Sequence, residues 1–184
     1  MLDKIIALDK QLLVFLNGLG SPTFDGLWLI ITKQAYWTPL FLLIFYLVIK
    51  KIGWKNFFIA IGFIALLILL CDQSANLFKN HFQRLRPCND PQIKDIIRVV
   101  KGSDSFSFYS GHATNSMATT VFIFLIIRKY YKYVVLLFLF PLIFAYSRIY
   151  LGLHFPIDIL TGYAFGALYG SLFYKVYQKY FIKD

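Results

Sequence analysis

Apolar residues form long runs along most of this chain, separated by short polar segments. A helix needs about 20 apolar residues to cross the hydrocarbon core of a bilayer, and four runs approach that length, at residues 36–49, 56–78, 113–127 and 133–147. A fifth run, 158–177, is less apolar, but its small residues predict close helix packing: Gly162, Ala164, Gly166 and Gly170. The pattern predicts an all-α, polytopic membrane bundle with five spans.

The first 34 residues show apolar positions at helical spacing, but polar residues interrupt them. Asp9, Lys10 and the turn NGLGSP leave no apolar stretch long enough to span a bilayer alone. We predict two interfacial amphipathic helices here, with a sixth, broken span as the alternative. The whole chain, residues 1–184, is expected to form one membrane-embedded domain with its helical core at 35–180, and Pro141 is expected to kink the fourth span.

The composition agrees with a membrane protein. Hydrophobic residues make up 59% of the chain and charged residues 15%, whereas soluble domains contain about 25% charged residues. The formal net charge of +10 indicates cytoplasmic anchors, anionic lipid headgroups or an anionic substrate. Nucleic acid is not expected as a partner, because no basic stretch with interleaved aromatics lies outside the apolar runs. Two cysteines, Cys71 and Cys88, do not suggest a disulfide framework.

Lysine and arginine are distributed unevenly among the connecting segments. The loops at 50–55 and 128–132 and the tail at 175–184 are basic and alternate so that they share one side of the membrane. The positive-inside rule predicts that this side is cytoplasmic. The loop 79–109 and the segment 148–157 are then expected on the outer or periplasmic face of a bacterial inner membrane. These two segments carry the unusual polar residues, so we expect the functional site there.

Three strong cations lie at that outer end of the predicted helices. Lys79 and Arg86 occur in KNHFQRLRP and are seven residues apart, so they share a helical face if the helix continues to the proline. Arg148 lies in a third cluster, SRIYLGLHFPID. Cations gathered around one point suit a phosphate group. Arg84 and Lys94, in contrast, are expected to be solvated loop charges.

A Ser-Gly-His stretch and a His-Asp pair accompany these cations. Ser110 as a helix N-cap, followed by Gly111, would direct free backbone N–H groups at an anion. His154 and Asp158 are four residues apart, with a proline well placed to start the helix between them. A carboxylate that holds one ring nitrogen makes the other nitrogen a better nucleophile. His112 has no such partner in its motif and suits protonation of a leaving oxygen.

Together these residues resemble the signature of the type 2 phosphatidic acid phosphatase superfamily, which also includes the vanadium haloperoxidases. The family pattern reads Lys, six residues, Arg-Pro; then Pro-Ser-Gly-His; then Ser-Arg, five residues, His, three residues, Asp. This chain matches with Lys79 and Arg86-Pro87, Ser110-Gly111-His112, and Ser147-Arg148, His154 and Asp158. Tyr109 stands where the family usually has proline, a change that touches loop geometry rather than a reacting group. The resemblance covers about residues 60–175.

The resemblance implies how a phosphate would be bound. Lys79, Arg86 and Arg148 would hold the phosphate oxygens, and Ser110 and Gly111 would add hydrogen bonds. Fixed cations would thereby meet the charge that spreads over the transferring phosphoryl group.

The resemblance also implies the reacting groups. His154 would attack phosphorus and form a phosphohistidine, Asp158 would orient His154, and His112 would protonate the leaving group. Enzymes of this kind need no metal, so no metal or other cofactor is expected.

The expected function is an integral membrane phosphatase that acts on a phosphate monoester or pyrophosphate of a lipid. Undecaprenyl pyrophosphate is the first choice of substrate, with lipid A, phosphatidylglycerophosphate and phosphatidic acid as alternatives, because the motifs read only the phosphate. Loop 88–109 is expected to border the headgroup. A haloperoxidase is disfavoured because those relatives are soluble. A phosphate-binding transporter is disfavoured because the polar residues gather at one face rather than at mid-bilayer. Membrane lipids are further partners, and the sequence does not predict an oligomeric state.

Overall fold

The computed structural model describes residues 1–181, and these residues form six α-helices. They are α1 Leu2–Gly18, α2 Asp25–Ile31, α3 Thr38–Phe82, α4 Gly111–Ile127, α5 Leu139–Tyr150 and α6 Pro156–Phe181. Short 3₁₀ helices occur at Pro22–Phe24, Gln34–Trp37, Pro87–Asn89 and Val134–Phe138. No β-strand occurs in the described range, so the predicted all-α class is confirmed. The last three residues of the predicted basic tail, 182–184, lie outside this range.

Helix α3 contains two of the predicted apolar runs and reverses direction between them at Gly53. This residue has φ 73° and ψ 167°, a conformation that glycine adopts without a steric penalty. The ring centroids of Phe45 and Phe57 are 5.4 Å apart, whereas a continuous helix of twelve residues would separate them by about 18 Å. The two halves of α3 therefore lie side by side as an antiparallel pair, in agreement with two separate apolar runs.

The surface of the bundle is apolar over much of its length. By length and hydropathy, one helical stretch of the described residues, Gln34–Asn89, is apolar enough to cross a membrane, since it contains an 18-residue segment with a mean hydropathy of 2.2. Helix α4 and the stretch Val134–Tyr150 are apolar but shorter. Large apolar side chains on α3 are exposed, among them Leu66 at 60% and Leu77 at 68%, as expected for a surface that contacts lipid. The number of spans, five or six, stays a prediction.

The N-terminal segment forms two helices, and they pack against the bundle. Helix α1 and the stretch Pro22–Ile31 meet at an angle of 81°. Leu13 is fully buried in a cluster with Phe155 and Ile159, and the side-chain amide of Asn17 donates to backbone carbonyls at the end of α5. The bend is compatible with both predictions for this segment, two interfacial helices and a broken span. In either case the segment touches the loop that joins α5 to α6.

Three glycines bring α6 directly against α4. A Cβ atom at Gly162, Gly166 or Gly170 would lie 2.8, 2.6 or 2.5 Å from the backbone oxygen of Ser110, Thr114 or Ala118, respectively. Because the glycines are four residues apart, they line one face of α6. The predicted close packing of this run is therefore confirmed. The contact places the first turn of α6 beside the first turn of α4.

Helix α3 ends earlier than the sequence suggests, and Lys79 and Arg86 do not share a helical face. The last helical residue is Phe82, and Gln83 adopts a left-handed conformation with its N–H donating to the carbonyl of Lys79 at 2.9 Å. Arg86 is extended, with ψ 155°. A proline disfavours the helical conformation of the residue before it, so Pro87 prevents Arg86 from continuing α3.

Pro141 lies in the first turn of α5, and the kink expected at this residue stays a prediction. It is the third residue of α5, and a residue in the first turn needs no N–H for an intrahelical hydrogen bond. The irregularity in this run lies upstream, where the 3₁₀ helix Val134–Phe138 changes to the α-helix at Leu139.

The two basic loops meet at one end of the bundle, as predicted. The ammonium group of Lys51 lies 5.7 Å from the centroid of the Tyr130 ring and 5.5 Å from that of Tyr131. The hydroxyl of Tyr177, near the end of α6, donates to the carbonyl of Asn56 at 3.2 Å. The basic ends of these helices therefore share a layer, which we call the basic end. That this end faces the cytoplasm stays a prediction.

Candidate active site

The three polar clusters of the sequence meet at the opposite end of the bundle from the basic end. Lys79 and Arg148 lie in the last turns of α3 and α5, Ser110 caps the start of α4, and Asp158 lies in the first turn of α6. The backbone N–H of Ser110 donates to the carbonyl of Asp158 at 3.1 Å, which ties two of these ends together. His154 lies in the short loop between α5 and α6. Residues up to 79 positions apart in the sequence thus form one layer.

The His154 imidazole is buried between a carboxylate and a guanidinium. Its side chain is 2% exposed. The Nδ1 atom lies 3.5 Å from Oδ2 of Asp158, and no closer partner for Nδ1 occurs within residues 1–181. The other ring nitrogen, Nε2, lies 3.4 Å from a terminal nitrogen of Arg86. Burial holds the pKa of His154 below its usual range, because the charged imidazolium loses its hydration, and the nearby Asp158 carboxylate offsets this only in part.

The Asp158 carboxylate is held from several directions. Its Oδ2 accepts hydrogen bonds from the Ser107 hydroxyl and from the backbone N–H of Phe155, the latter at 2.9 Å. Its Oδ1 accepts from a terminal nitrogen of Arg84 at 2.8 Å. The side chain is fully buried. A buried carboxylate with this many donors stays ionised and fixed in orientation.

Arg86 is fixed by the loop that follows α3 and by the loop before α6. Its Nε and one terminal nitrogen donate to the backbone carbonyl and hydroxyl of Ser105, both at 2.8 Å. The other terminal nitrogen donates to the carbonyl of Leu153 at 3.1 Å, next to His154. The guanidinium is therefore buried beside His154 even though the helix that carries Lys79 does not reach it.

Arg148 approaches the site from α5. One terminal nitrogen donates to the hydroxyl of Thr32 at 2.6 Å. Its Nε is buried and has no hydrogen-bond partner in the described part of the chain. Arg148 therefore combines a fixed contact to the N-terminal segment with a buried donor that no described residue uses.

Lys79 and His112 complete the layer. Lys79 is half-buried and lies close enough to Arg86 and Arg148 for their charges to interact. The His112 ring stacks on Phe144 with 5.3 Å between centroids and lies within the range of charge interaction of Arg148 and His154. The predicted site residues therefore converge in the structure, although their chemical roles stay predictions.

The Ser-Gly start of α4 has the predicted local geometry. Ser110 is the N-cap, and its hydroxyl accepts from the N–H of Ala113 at 3.4 Å. A Cβ atom at Gly111 would meet only the Cβ of Ala75, at the ordinary contact distance of 3.9 Å. The backbone at Gly111 is therefore open, unlike that of the packing glycines of α6.

Four residues at the site were not found by the sequence reasoning. Arg84, taken as a solvated loop charge, instead bridges the carboxylates of Asp158 and Asp9 at 2.8 and 2.6 Å, so that prediction is wrong. Ser107 and Thr32 hold Asp158 and Arg148, as described above. The partners of Arg84 lie 74 and 75 positions away in the sequence. Local spacing could not identify these pairs.

Tyr109, which replaces the proline usual in the family pattern, belongs to an aromatic cluster beside the site. It is fully buried, stacks on Phe165 with 5.0 Å between centroids, and its hydroxyl shares a hydrogen bond of 2.7 Å with Ser74. The substitution therefore anchors the loop before α4 to both α3 and α6.

A cavity of about 450 Å³ lies between α3, α4 and α5 and borders the site. Phe144 lines it and also stacks on His112, and Ser116 lines it and donates to the carbonyl of His112 at 2.7 Å. Most of its lining is apolar, but Asp72 and Asn115 form a hydrogen-bonded pair of 2.8 Å in its wall. The Oδ1 atom of Asn115 is buried without a partner among the described residues. The cavity thus offers apolar space together with one buried acceptor oxygen that has no partner in the described part of the chain.

Comparison with known proteins yields a family and several relatives. Residues 57–182 match the model of the PAP2 superfamily. The chain is 34% identical over 97% of its length to the lipid A 4'-phosphatase of Bacteroides thetaiotaomicron, of which 81% is covered. It is 33% identical over 96% of its length to the enzyme of the same name from Porphyromonas gingivalis, of which 75% is covered.

Two more distant similarities complete the comparison. The undecaprenyl-diphosphatase of Sulfolobus acidocaldarius is 26% identical over 90% of this chain, and 76% of that protein is covered. The crystal structure of a transmembrane PAP2-type phosphatidylglycerolphosphate phosphatase from Bacillus subtilis has a TM-score of 0.74 at 19% identity, covering 98% of this chain and 90% of that one. At this identity the structural similarity concerns the fold.

Proposed function

Since the chain belongs to the PAP2 superfamily and is a membrane lipid phosphatase, we propose that it removes a phosphate from an acylated sugar lipid of the lipid A kind. The observation that carries the catalytic part is the position of His154, with Nδ1 beside Asp158 and Nε2 facing Arg86. A nucleophile needs one oriented nitrogen and one free lone pair directed at the bound phosphate. Asp158 supplies the orientation, and the lone pair of Nε2 faces the same Arg86 guanidinium that would bind the phosphate.

We infer a reaction in two displacements. Nε2 of His154 attacks phosphorus, and the bond from phosphorus to the lipid oxygen breaks as His112 gives that oxygen a proton. Water then gives a proton to His112 and attacks phosphorus, the P–N bond breaks, and inorganic phosphate and free His154 are released. Asp158 stabilises the imidazole orientation through both steps, as the carboxylate of other nucleophile–base pairs does.

The phosphate would lie among the cations. Arg86 is already fixed beside Nε2, and the unpaired Nε of Arg148 can donate to a phosphate oxygen. Lys79 and the open backbone at Gly111 would contact the remaining oxygens. Such prearranged donors stabilise the charge of the transition state without rearrangement during the reaction.

The substrate that we propose is lipid A, one of the alternatives, rather than undecaprenyl pyrophosphate, our first choice from the sequence. Undecaprenyl pyrophosphate was favoured by the compact chain alone, but the relatives that are 34% and 33% identical are lipid A 4'-phosphatases, and the undecaprenyl-diphosphatase is 26% identical. The cavity beside His112 supports the same change. The Oδ1 atom of Asn115, which has no partner among the described residues, and the Asp72 carboxylate beside it suit the hydroxyl and amide donors of an acylated amino sugar, whereas a polyprenyl chain has no donors to offer.

The test is release of inorganic phosphate by the purified protein in detergent from lipid A, undecaprenyl pyrophosphate, phosphatidylglycerophosphate and phosphatidic acid. We expect turnover of lipid A to exceed that of the others. The double variant D72N/N115L should lower the preference for lipid A over undecaprenyl pyrophosphate without abolishing hydrolysis. Faster hydrolysis of undecaprenyl pyrophosphate by the unchanged protein would restore our first choice, and phosphate flux across vesicles without hydrolysis would indicate a transporter.

A further inference from the structure

The guanidinium of Arg84 joins two buried carboxylates. One terminal nitrogen lies 2.8 Å from Oδ1 of Asp158 and the other 2.6 Å from Oδ2 of Asp9. The two carboxylate side chains are 0% and 1% exposed, and that of Arg84 is 24% exposed. Two buried anions close to each other are costly unless a cation compensates both. The geometry of Arg84 provides this compensation, because its planar fork reaches two acceptors at once.

Arg84 also fixes the surroundings of the carboxylate that orients His154. Its guanidinium carbon lies 3.8 Å from the centroid of the Phe155 ring, and the backbone N–H of that residue donates to Asp158. The backbone carbonyl of Arg84 accepts from the backbone N–H of Ser107 at 2.8 Å, and the hydroxyl of Ser107 donates to Asp158. Two further donors to the Asp158 carboxylate therefore depend on the place of Arg84.

Asp9 connects this arrangement to the N-terminal segment. It lies in α1, outside the residues 57–182 that match the family model. Its Oδ1 accepts from the backbone N–H of Ile157 at 2.9 Å, in the first turn of α6, while its Oδ2 accepts from Arg84. Asp9 of α1 thus contacts the reacting layer at two points. One is the side chain of Arg84, and the other is the first turn of α6, the helix that carries Asp158.

We propose that Arg84, held by Asp9, is a positioning residue that orients Asp158 and through it the nucleophile His154. This inference rests on the proposed phosphohistidine mechanism. The pair does not contact the substrate. It holds the Asp158 oxygen that faces away from His154, so that Oδ2 stays directed at Nδ1. Losing this restraint would misplace the nucleophile while leaving Arg86 and Arg148 free to bind phosphate.

The competing explanation is that Arg84 only neutralises Asp9 and stabilises the fold. Three variants separate the two explanations: R84M, R84K and D9N/R84M. In the double variant Asp9 no longer needs a cation, so a purely neutralising role predicts that activity returns. A positioning role predicts that activity stays low, because Asp158 still lacks its guanidinium partner. K55M is the control, since Lys55 is an exposed cation of the basic end, away from the site.

We expect R84M to lower kcat about 100-fold with KM unchanged, as misplacement of a reacting group by about an ångström does. R84K should recover part of kcat, D9N/R84M should stay near R84M, and K55M should match the unchanged protein. Elution in detergent size exclusion identifies any variant that fails to fold, and R84K then carries the test. Full activity of D9N/R84M, or a rise in KM with kcat preserved, would overturn the positioning role.

Failure of this inference is distinguishable from failure of the proposed function. If the unchanged protein releases phosphate and H154A does not, the mechanism stands, and R84M activity equal to wild type would contradict the inference alone. If H154A still releases phosphate, the mechanism itself is wrong, and the inference falls with it.

Discussion

Basic side chains gather at both ends of this bundle, but their surroundings differ. At the basic end, lysines such as Lys51 and Lys129 reach the surface and lie over tyrosine rings. At the other end, Arg86 and Arg148 are 5% and 6% exposed and donate to carbonyls or hydroxyls. Charged groups are rarely buried unless a partner compensates the lost hydration. The comparison shows that burial and partners, rather than the number of cations, distinguish a candidate anion site from an interfacial anchor.

The largest effect is expected at the nucleophile of the buried end. H154A should abolish turnover and formation of a phosphoenzyme, because removal of a nucleophile costs about six orders of magnitude in kcat in a comparable triad. Trapping of labelled phosphate after acid quench measures this directly. A labelled phosphoprotein in H154A would show that another residue attacks phosphorus.

The second variant tests the carboxylate behind the nucleophile. D158N should lower kcat about a thousandfold or more, because an amide stabilises the wrong tautomer of the histidine. D3N is its control, since Asp3 is an exposed carboxylate of α1. Comparable kcat in D158N and the unchanged protein would remove Asp158 from the mechanism.

Two glycine variants distinguish a glycine whose open backbone would bind phosphate from a glycine that allows two helices to pack closely. G111A should fold normally, because its Cβ meets only Ala75 at 3.9 Å, yet lower turnover by crowding the phosphate. G166A should instead destabilise the bundle, by about 1–3 kcal/mol as overpacking does, because its Cβ would lie 2.6 Å from the Thr114 carbonyl. Melting in detergent and phosphate release measure the two effects. Normal turnover in G111A would argue against phosphate binding at that backbone.

The protonation state of His154 tests whether the buried end differs electrostatically from the exposed basic end. Burial lowers the pKa of His154, so its imidazole should be neutral at pH 7 and gain a proton only well below the ordinary value of about 6.5. Nitrogen-15 NMR of histidine-labelled protein, with H154A to assign the signal, reports the state. A His154 signal that titrates near or above 6.5 would contradict the effect of burial.

The smallest effect is expected at the basic end. K51M removes a cation that lies over Tyr130 and Tyr131 at the surface, and an exposed cation–π contact is worth about 0.5–1 kcal/mol. Phosphate release should be unchanged. A large loss of turnover in K51M would mean that the two ends are coupled in a way that burial does not indicate.

The sequence was informative about elements whose cause is local. Apolar runs indicated α3 to α6 because helix formation in lipid depends on the continuous apolar length of a segment. Ser110 indicated the start of α4 and Pro156 that of α6, because caps and prolines act on their own helical turn. The spaced motifs likewise identified the residues that converge at the candidate site.

The failures share a different cause. Local spacing predicts a solvated Arg84 and gives Asp9 no role beyond interrupting an apolar run, although the two form an ion pair of 2.6 Å. Their spacing of 75 positions has no periodicity to detect. The same holds for Thr32 and Arg148, which are 116 positions apart.

The sequence by itself therefore determined the helices, the caps and the residue types of the candidate site. The tertiary structure alone decided which charges are buried together, and so gave Arg84 its two carboxylates and Arg148 its hydroxyl partner. The physical reason is that propensity and hydrophobic periodicity act within a few turns of chain, whereas the compensation of a buried charge depends on whatever distant segment packs against it.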